Sequence, residues 1–154
     1  MLKNVFCLLL LASLNAVASD RFVPGPDNKA EAKGILTVTV GWIKDKGSKY
    51  DINLIMRNEK TDAGIIVFLS DLGCQRGEVT GSLKHTFFNT GEKTIDFRPH
   101  QTKDFNLVCK VEGKPKGDFK ISVASVYSNP SLDGKTVGKV IAKDLRWSQS
   151  DRTE

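Results

Sequence analysis

Beyond the first nineteen residues, sulfur and imidazole chemistry in this chain is confined to Cys74, Cys109, Met56, His85 and His100. Cys109 sits in FNLVCK, residues 105 to 110, where Phe105, Leu107 and Cys109 alternate with Asn106, Val108 and Lys110. That alternation describes a half-buried β-strand with the cysteine pointing inward. Four roles are open to it: nucleophile, metal ligand, half of a disulfide, or plain core. A nucleophile wants a depressed pKa beside a histidine. A zinc site wants three or four ligands, usually at short spacings, and the chain has no HxH, CxxC or HxxxH. With the cysteines set aside, a metal is left with His85, His100 and Met56, a copper-type donor set that only tertiary structure could bring together.

Hydroxyl and carboxylate chemistry is no better marked. There is no GxSxG elbow, and Gly81-Ser82 lacks a second glycine. A Ser/His/Asp grouping built from His85 or His100 with Asp96 or Asp104 keeps a hydrolase as a second alternative, without a motif behind it. Asp96 and Asp104 flank the Pro99 turn and could face each other, but no DxDxDG-type calcium spacing occurs. Asp62, Asp71 and Asp133 stand at turns, where aspartate commonly bonds its own backbone.

Cationic side chains gather in three places. Arg98, His100 and Lys103 lie on one expected turn, and Lys114 and Lys116 on another; these five are the candidate binding residues. Lys135, Lys139 and Lys143 are separated by even numbers of residues, so on a strand they would share a face, with Arg146 close behind. Such a stripe attracts an acidic partner or an anionic glycan, or else guards an outer strand against sheet-to-sheet association.

The elements that must position these residues follow from the pattern along the chain. Residues 1–19, MLKNVFCLLLLASLNAVAS, have a lysine, an uncharged apolar run and Ala16-Val17-Ala18, which is the form of a cleaved export signal. The run is too short to span a bilayer, which takes about 20 residues. Lipid attachment would need a cysteine just after the cut, whereas Cys7 lies inside the apolar run. The expected mature chain of about 135 residues is one domain's worth. It carries no second long apolar segment and, without Lys3, a net charge of +4 against +5 for the whole chain. Two remaining cysteines in an oxidising compartment, both on apolar strands, most simply form one disulfide, Cys74 to Cys109. Closing that loop of about 36 residues stabilises by roughly 4 kcal/mol in the chain-entropy picture.

Residues 20–33, with Pro24, Gly25 and Pro26, form an irregular lead-in. From Gly34 the period is two. Leu36 to Trp42, Tyr50 to Met56, Ile65 to Leu69, Leu83 to Phe88, Thr94 to Phe97, Phe105 to Val111, Phe119 to Tyr127 and Val137 to Trp147 are expected strands. Gly73, Gly77 and Gly81 mark a bent connection between two of them. The domain is then 34–147, with a polar tail over 148–154. About eight or nine short strands and no long helix predict an all-β, antiparallel sandwich.

Strand count, size, the Cys74/Cys109 pair, and Tyr127 and Trp147 as large core aromatics give the chain a resemblance to the immunoglobulin-like superfamily of secreted β-sandwiches. The sequence departs from antibody-type domains: no tryptophan lies between the cysteines, and Leu107 stands two residues before Cys109. The segment FRPHQTKDFNLVCKVEG also resembles the last third of small bacterial export-pathway sandwich domains. The resemblance implies an architecture only.

Together these features lead to a small exported module, periplasmic or secreted, that binds a protein or a cell-envelope component without catalysis and without a cofactor. The alternative is a periplasmic metal or ligand carrier using His85, His100 and Met56. Nucleic acid is not an expected partner, because the chain leaves the cytoplasm and has no aromatic stacking motif.

Overall fold

The computed structural model describes residues 21–22, 28–85 and 92–149, so the expected export signal and most of the polar tail lie outside the described residues. Eleven strands follow one another: β1 (Arg21–Phe22), β2 (Lys29–Ala32), β3 (Leu36–Asp45), β4 (Lys49–Asn58), β5 (Gly64–Phe68), β6 (Leu72–Arg76), β7 (Val79–His85), β8 (Thr94–Phe97), β9 (Thr102–Lys110), β10 (Phe119–Asn129) and β11 (Val140–Gln149). Among the described residues a single 3-10 turn, Leu69–Asp71, separates β5 from β6. Every strand pairing is antiparallel.

Period-two patterning explains which strands form and which way they face. In β3, Leu36, Val38 and Val40 are buried while Thr37 and Thr39 are half-exposed. In β9, Phe105, Leu107 and Cys109 are buried, as the alternation in FNLVCK requires. A bulge at Gly41, between Val40 and Trp42, interrupts the ladder with β4. It turns Trp42 outward and Ile43 inward. The missing side chain also makes room: a Cβ at Gly41 would meet the Asn53 carboxamide oxygen head-on. Asn53 is buried on the outer face and donates to Asp104 at 2.6 Å and to Asn106 at 3.1 Å.

The hydrogen-bonded path runs β1-β3-β4-β9-β7-β6-β10-β5-β8, with β2 on β3 and β11 on β10. β7 is the corner. Its first residues pair with β6, Cys74 opposite Gly81, and its last with β9, Leu83 opposite Cys109. One half (β1–β4, β9) and the other (β5, β6, β8, β10, β11) thus join through a strand that changes partners midway. Inward residues of both halves, among them Val38, Ile52, Leu54, Met56, Val67, Ile121, Val123 and Trp147, form one apolar cluster.

The disulfide Cys74–Cys109 spans this corner, with the two Cα atoms 6.2 Å apart. Strands on either side of a third are normally about 9.6 Å apart, two inter-strand spacings. They come closer here because β7 leaves one half for the other beneath the bond. Gly81 lies under the two sulfurs: a Cβ there would stand 2.6 Å from one and 2.7 Å from the other.

Several expectations need correction. Lys29–Ala32, inside the lead-in expected to be irregular, forms β2, because pairing with β3 and burial of Ala30 outweigh the weak strand preference of Lys, Ala and Glu. The glycine-bearing stretch around Gly73 to Gly81, expected as a connection, is two strands, β6 and β7, joined at Gly77. The last strand starts at Val140 and runs through Ser148 and Gln149, which pair with Lys120 and Phe119. Tyr127 is half-buried and Val126 is buried in its place, whereas Trp147 is in the core. The class is all-β, antiparallel and disulfide-bonded. The strand order forms one continuous path, and the immunoglobulin-like detail stays an analogy.

Candidate functional site

Three segments meet at one end of the molecule: the β4–β5 loop (residues 59–63), the β8–β9 turn (98–101) and the β10–β11 loop (130–139). Their convergence follows from register. β5 begins at Gly64 between Asn129, the last residue of β10, and the end of β8, where Phe97 is opposite Ile65.

Asn58, fully buried at the end of β4, stitches the first two segments together. Its carboxamide nitrogen donates to Ala63 O and to Arg98 O, both at 2.9 Å. Its carboxamide oxygen accepts from Lys60 N at 3.0 Å, and its backbone N–H donates to Gln101 O at 3.0 Å. Within the turn, Arg98 N donates to Gln101 Oε1 at 2.9 Å, and His100 N donates to Lys60 O at 3.1 Å. These bonds hold His100 at φ 56°, a left-handed conformation costly for a residue with a Cβ.

The third segment is built on Asp133. Its carboxylate accepts from Lys135 N at 2.8 Å, from Thr136 N at 2.7 Å and from the Thr136 hydroxyl at 2.7 Å. These bonds, the one from the Thr136 amide first, lower its pKa to about 2. Leu132 is also left-handed, at φ 54°. The loop folds back over β5: a Cβ at Gly64 would stand 2.7 Å from Leu132 Cδ2, and one at Gly134 would stand 3.2 Å from the Asp96 carboxyl carbon. Asp96 is the β8 partner of Ile66, so this loop lies over the outer side of a strand whose Ile65, Ile66 and Val67 are all fully buried.

The large hydrophobic residues exposed among the described residues are Leu132 (45%), Val137 (41%) and Val140 (37%), all on this loop and the strand start that follows it. Arg98 and His100, on the β8–β9 turn at the same end of the molecule, are exposed as well. This end of the molecule thus combines exposed apolar side chains, the Arg98 guanidinium and the His100 imidazole on a hydrogen-bonded base, an arrangement suited to contact.

The other candidate residues are distributed differently from the sequence expectation. Lys103 is half-buried; its ammonium is 3.4 Å from the Asp96 carboxylate and lies over the Phe97 ring at 5.6 Å, so it braces the end of β8. Lys114 and Lys116 follow β9, at its far end. The length of that strand, roughly 27 Å, separates them from Lys103. Lys135 and Lys139 precede β11, and only Lys143 and Arg146 are on the strand, so the expected stripe along one strand face does not form.

The metal alternative fares similarly. Met56 is fully buried in the core opposite Lys103, while His85 is opposite Leu107 on the other side of β9. Two strand spacings and four residues put the Cα atoms of Met56 and His85 roughly 17 Å apart, beyond a shared coordination sphere. Among the described residues no group of three or more His, Cys, Asp and Glu could hold a metal ion. Asp96 and Asp104 do not face each other either: one is bonded to Lys103, the other to Asn53 on the outer face. Of the residues singled out from sequence, the structure joins Cys74 with Cys109 and keeps Arg98 beside His100.

No protein-family model and no curated protein sequence matches the chain. The likeness that does appear is one of fold. A "putative lipoprotein" (ycdA) from Bacillus subtilis subsp. subtilis str. 168 is similar in structure, with a TM-score of 0.50 at 13% sequence identity. The alignment covers 79% of this chain and 38% of that one, so the chain spans little more than a third of its neighbour's length. Among the described residues, no helix is long and apolar enough to cross a membrane.

Asn58 and Asp133, the two residues that hold the loop end in shape, were not among the sequence candidates. Asp133 stood at an SLDG turn, a signal for local bonding but not for what the loop presents. Asn58 had no signal beyond being a polar residue at a strand end.

Proposed function

We propose that the protein is an exported, non-catalytic interaction module of the cell envelope that binds a protein partner through the loop end formed by residues 59–63, 98–101 and 130–139. The observation that carries this reading is that the large hydrophobic residues exposed among the described residues, Leu132, Val137 and Val140, all fall on the β10–β11 loop and the first residue of β11. Exposed apolar groups collected in one place on a soluble domain mark contact surfaces more often than scattered ones do. Arg98, exposed on the β8–β9 turn at the same end, favours a partner segment that is apolar with acidic flanks. Two of the three non-glycine residues with left-handed backbone among the described residues, His100 and Leu132, are at this loop end, Asp144 on β11 being the third; strain of this kind collects at functional surfaces.

Export is supported by the signal-like first nineteen residues and by a disulfide, which persists in oxidising compartments. An envelope setting is also what the word lipoprotein implies for the Bacillus subtilis neighbour. This chain has Cys7 inside the apolar run and no cysteine at the expected cut.

The test is a pull-down from envelope extract over a range of salt concentrations, with wild type and a Leu132→Asp/Val137→Asp variant of matched thermal stability. A partner retained at high salt by wild type and lost by the variant is the expected result. Nothing above background at any salt, or equal retention by both proteins, would overturn the assignment.

A further inference from the structure

On the outer face of the first half, at the end opposite the loop surface, the register sets four lysines on four neighbouring strands. Lys49 of β4 is directly opposite Lys110 of β9. Lys44 of β3 is opposite Asp51, and so diagonal to Lys49. Lys84 of β7 is opposite Val108, and so diagonal to Lys110. Directly opposed residues are about 5 Å apart and diagonal ones about 7–8 Å. Lys44, Lys49, Lys110 and Lys84 therefore trace a bent line of positive charge in steps of that size. Asp51, the acid within this line, is held by Lys46, and Glu112 stands just beyond it at the start of the β9–β10 loop. Lys44, Lys49, Lys84 and Lys110 form no ion pair among the described residues.

Like charges placed directly across a ladder cost stability. Guarding a sheet edge does not explain them, because β4 and β9 are both interior strands with a neighbour on each side. We infer that this face binds a linear polyanion carrying phosphate groups. A single phosphate would reach two of these lysines, whereas a chain laid across the strands meets all four. Lysine meets phosphate as a compact point charge, and Arg21 of β1 stands opposite Lys44 at the end of the line. It is separate from the loop surface and does not depend on that surface having a partner.

The test is fluorescence anisotropy of the full chain with labelled inorganic polyphosphate as the probe. Arms with free phosphate, polygalacturonate and single-stranded DNA accompany it, each over a salt series. Two variants remove the same charge: Lys49→Gln/Lys110→Gln on the line, and Lys29→Gln/Lys33→Gln, exposed residues elsewhere on the same half. Expected are binding of polyphosphate that weakens steeply with salt, no measurable binding of free phosphate, and at least a tenfold loss for Lys49→Gln/Lys110→Gln. That variant should unfold at the same temperature as wild type or higher, since a repulsion has been removed, while the Lys29→Gln/Lys33→Gln protein stays within twofold of wild type. The inference fails if wild type does not bind polyphosphate or if both variants lose affinity equally. It fails also if polygalacturonate, whose charges are carboxylates, binds as tightly as polyphosphate; binding of single-stranded DNA, itself a linear phosphate polyanion, supports it.

Discussion

The side-chain nitrogen of Asn58 donates to the backbone carbonyl of Arg98 at 2.9 Å, across forty residues of sequence. Through that bond and its companions, one buried carboxamide sets the relative position of two loops, one of which carries the exposed Arg98 and His100. Replacing Asn58 with alanine leaves Arg98 O, Ala63 O and Lys60 N without their partner in a closed environment. The expected cost is roughly 2–4 kcal/mol, read from the urea midpoint at unchanged m-value. A loss below 0.5 kcal/mol, on the order of a surface substitution, would mean that water replaces the carboxamide readily.

His100 makes the opposite prediction. Its φ of 56° suits glycine, so His100→Gly should raise stability by about 1 kcal/mol while removing an exposed imidazole from the proposed contact surface. Gain in stability with loss of partner retention is the expected pair of results. A variant that loses stability would show that the imidazole makes a contact which outweighs the strain.

Gly81 controls the disulfide. A methyl group 2.6 Å from the Cys109 sulfur and 2.7 Å from that of Cys74 forces the strands apart or prevents the bond from closing. The mature protein, without Cys7, should show no free thiol when labelled under denaturing, non-reducing conditions, and its Gly81→Ala variant a substantial fraction with two. Cys109→Ser should cost about 4 kcal/mol by loop-closure entropy, before any relief in the folded state.

Asp133 gives the β10–β11 loop a pH dependence of known sign. Its folded pKa, about 2, is below that of the unfolded chain. Its contribution to loop order is therefore complete above the ordinary carboxylate range and is lost as pH falls through the folded value. A carboxyl-carbon titration by NMR should report a midpoint near 2 for Asp133, with the Thr136 amide resonance moving in parallel. Asp133→Asn should flatten the Thr136 amide titration. A midpoint near 4 would mean that the Thr136 and Lys135 bonds are not formed in solution.

Much of the fold was legible because burial on one face imposes a period of two. Seven of the eight expected strands lie near where they were placed; Leu83 to Phe88 overlaps β7 over Leu83–His85, and its last three residues lie outside the described residues. The disulfide was legible from compartment and count. Where the pattern failed, tertiary pairing had overridden local preference. Lys29–Ala32 has no strand signal of its own and is recruited by β3. Gly73, Gly77 and Gly81 looked like a connection because glycine is rare in strands, yet Gly81 is needed under the sulfurs and Gly77, at φ 55°, turns the hairpin. The site was only partly legible. Arg98 and His100 were found because a turn was evident, but sequence could not show that Lys114 and Lys116 occupy the opposite end. Nor could it show that Lys103 is tied to Asp96 or that Met56 belongs to the core. The line of lysines was missed because it is assembled across four strands, each of which contributes one cation.

The account turns on the loop end being a surface that another protein covers. A photo-reactive amino acid at position 132, at 137, and for comparison at 114 and 124, would test this most directly in the source cell. The account predicts one discrete cross-linked species from positions 132 and 137, abolished by Arg98→Glu, and none from 114 or 124. Cross-linking of equal yield from all four positions, or from 114 and 124 alone, would contradict it.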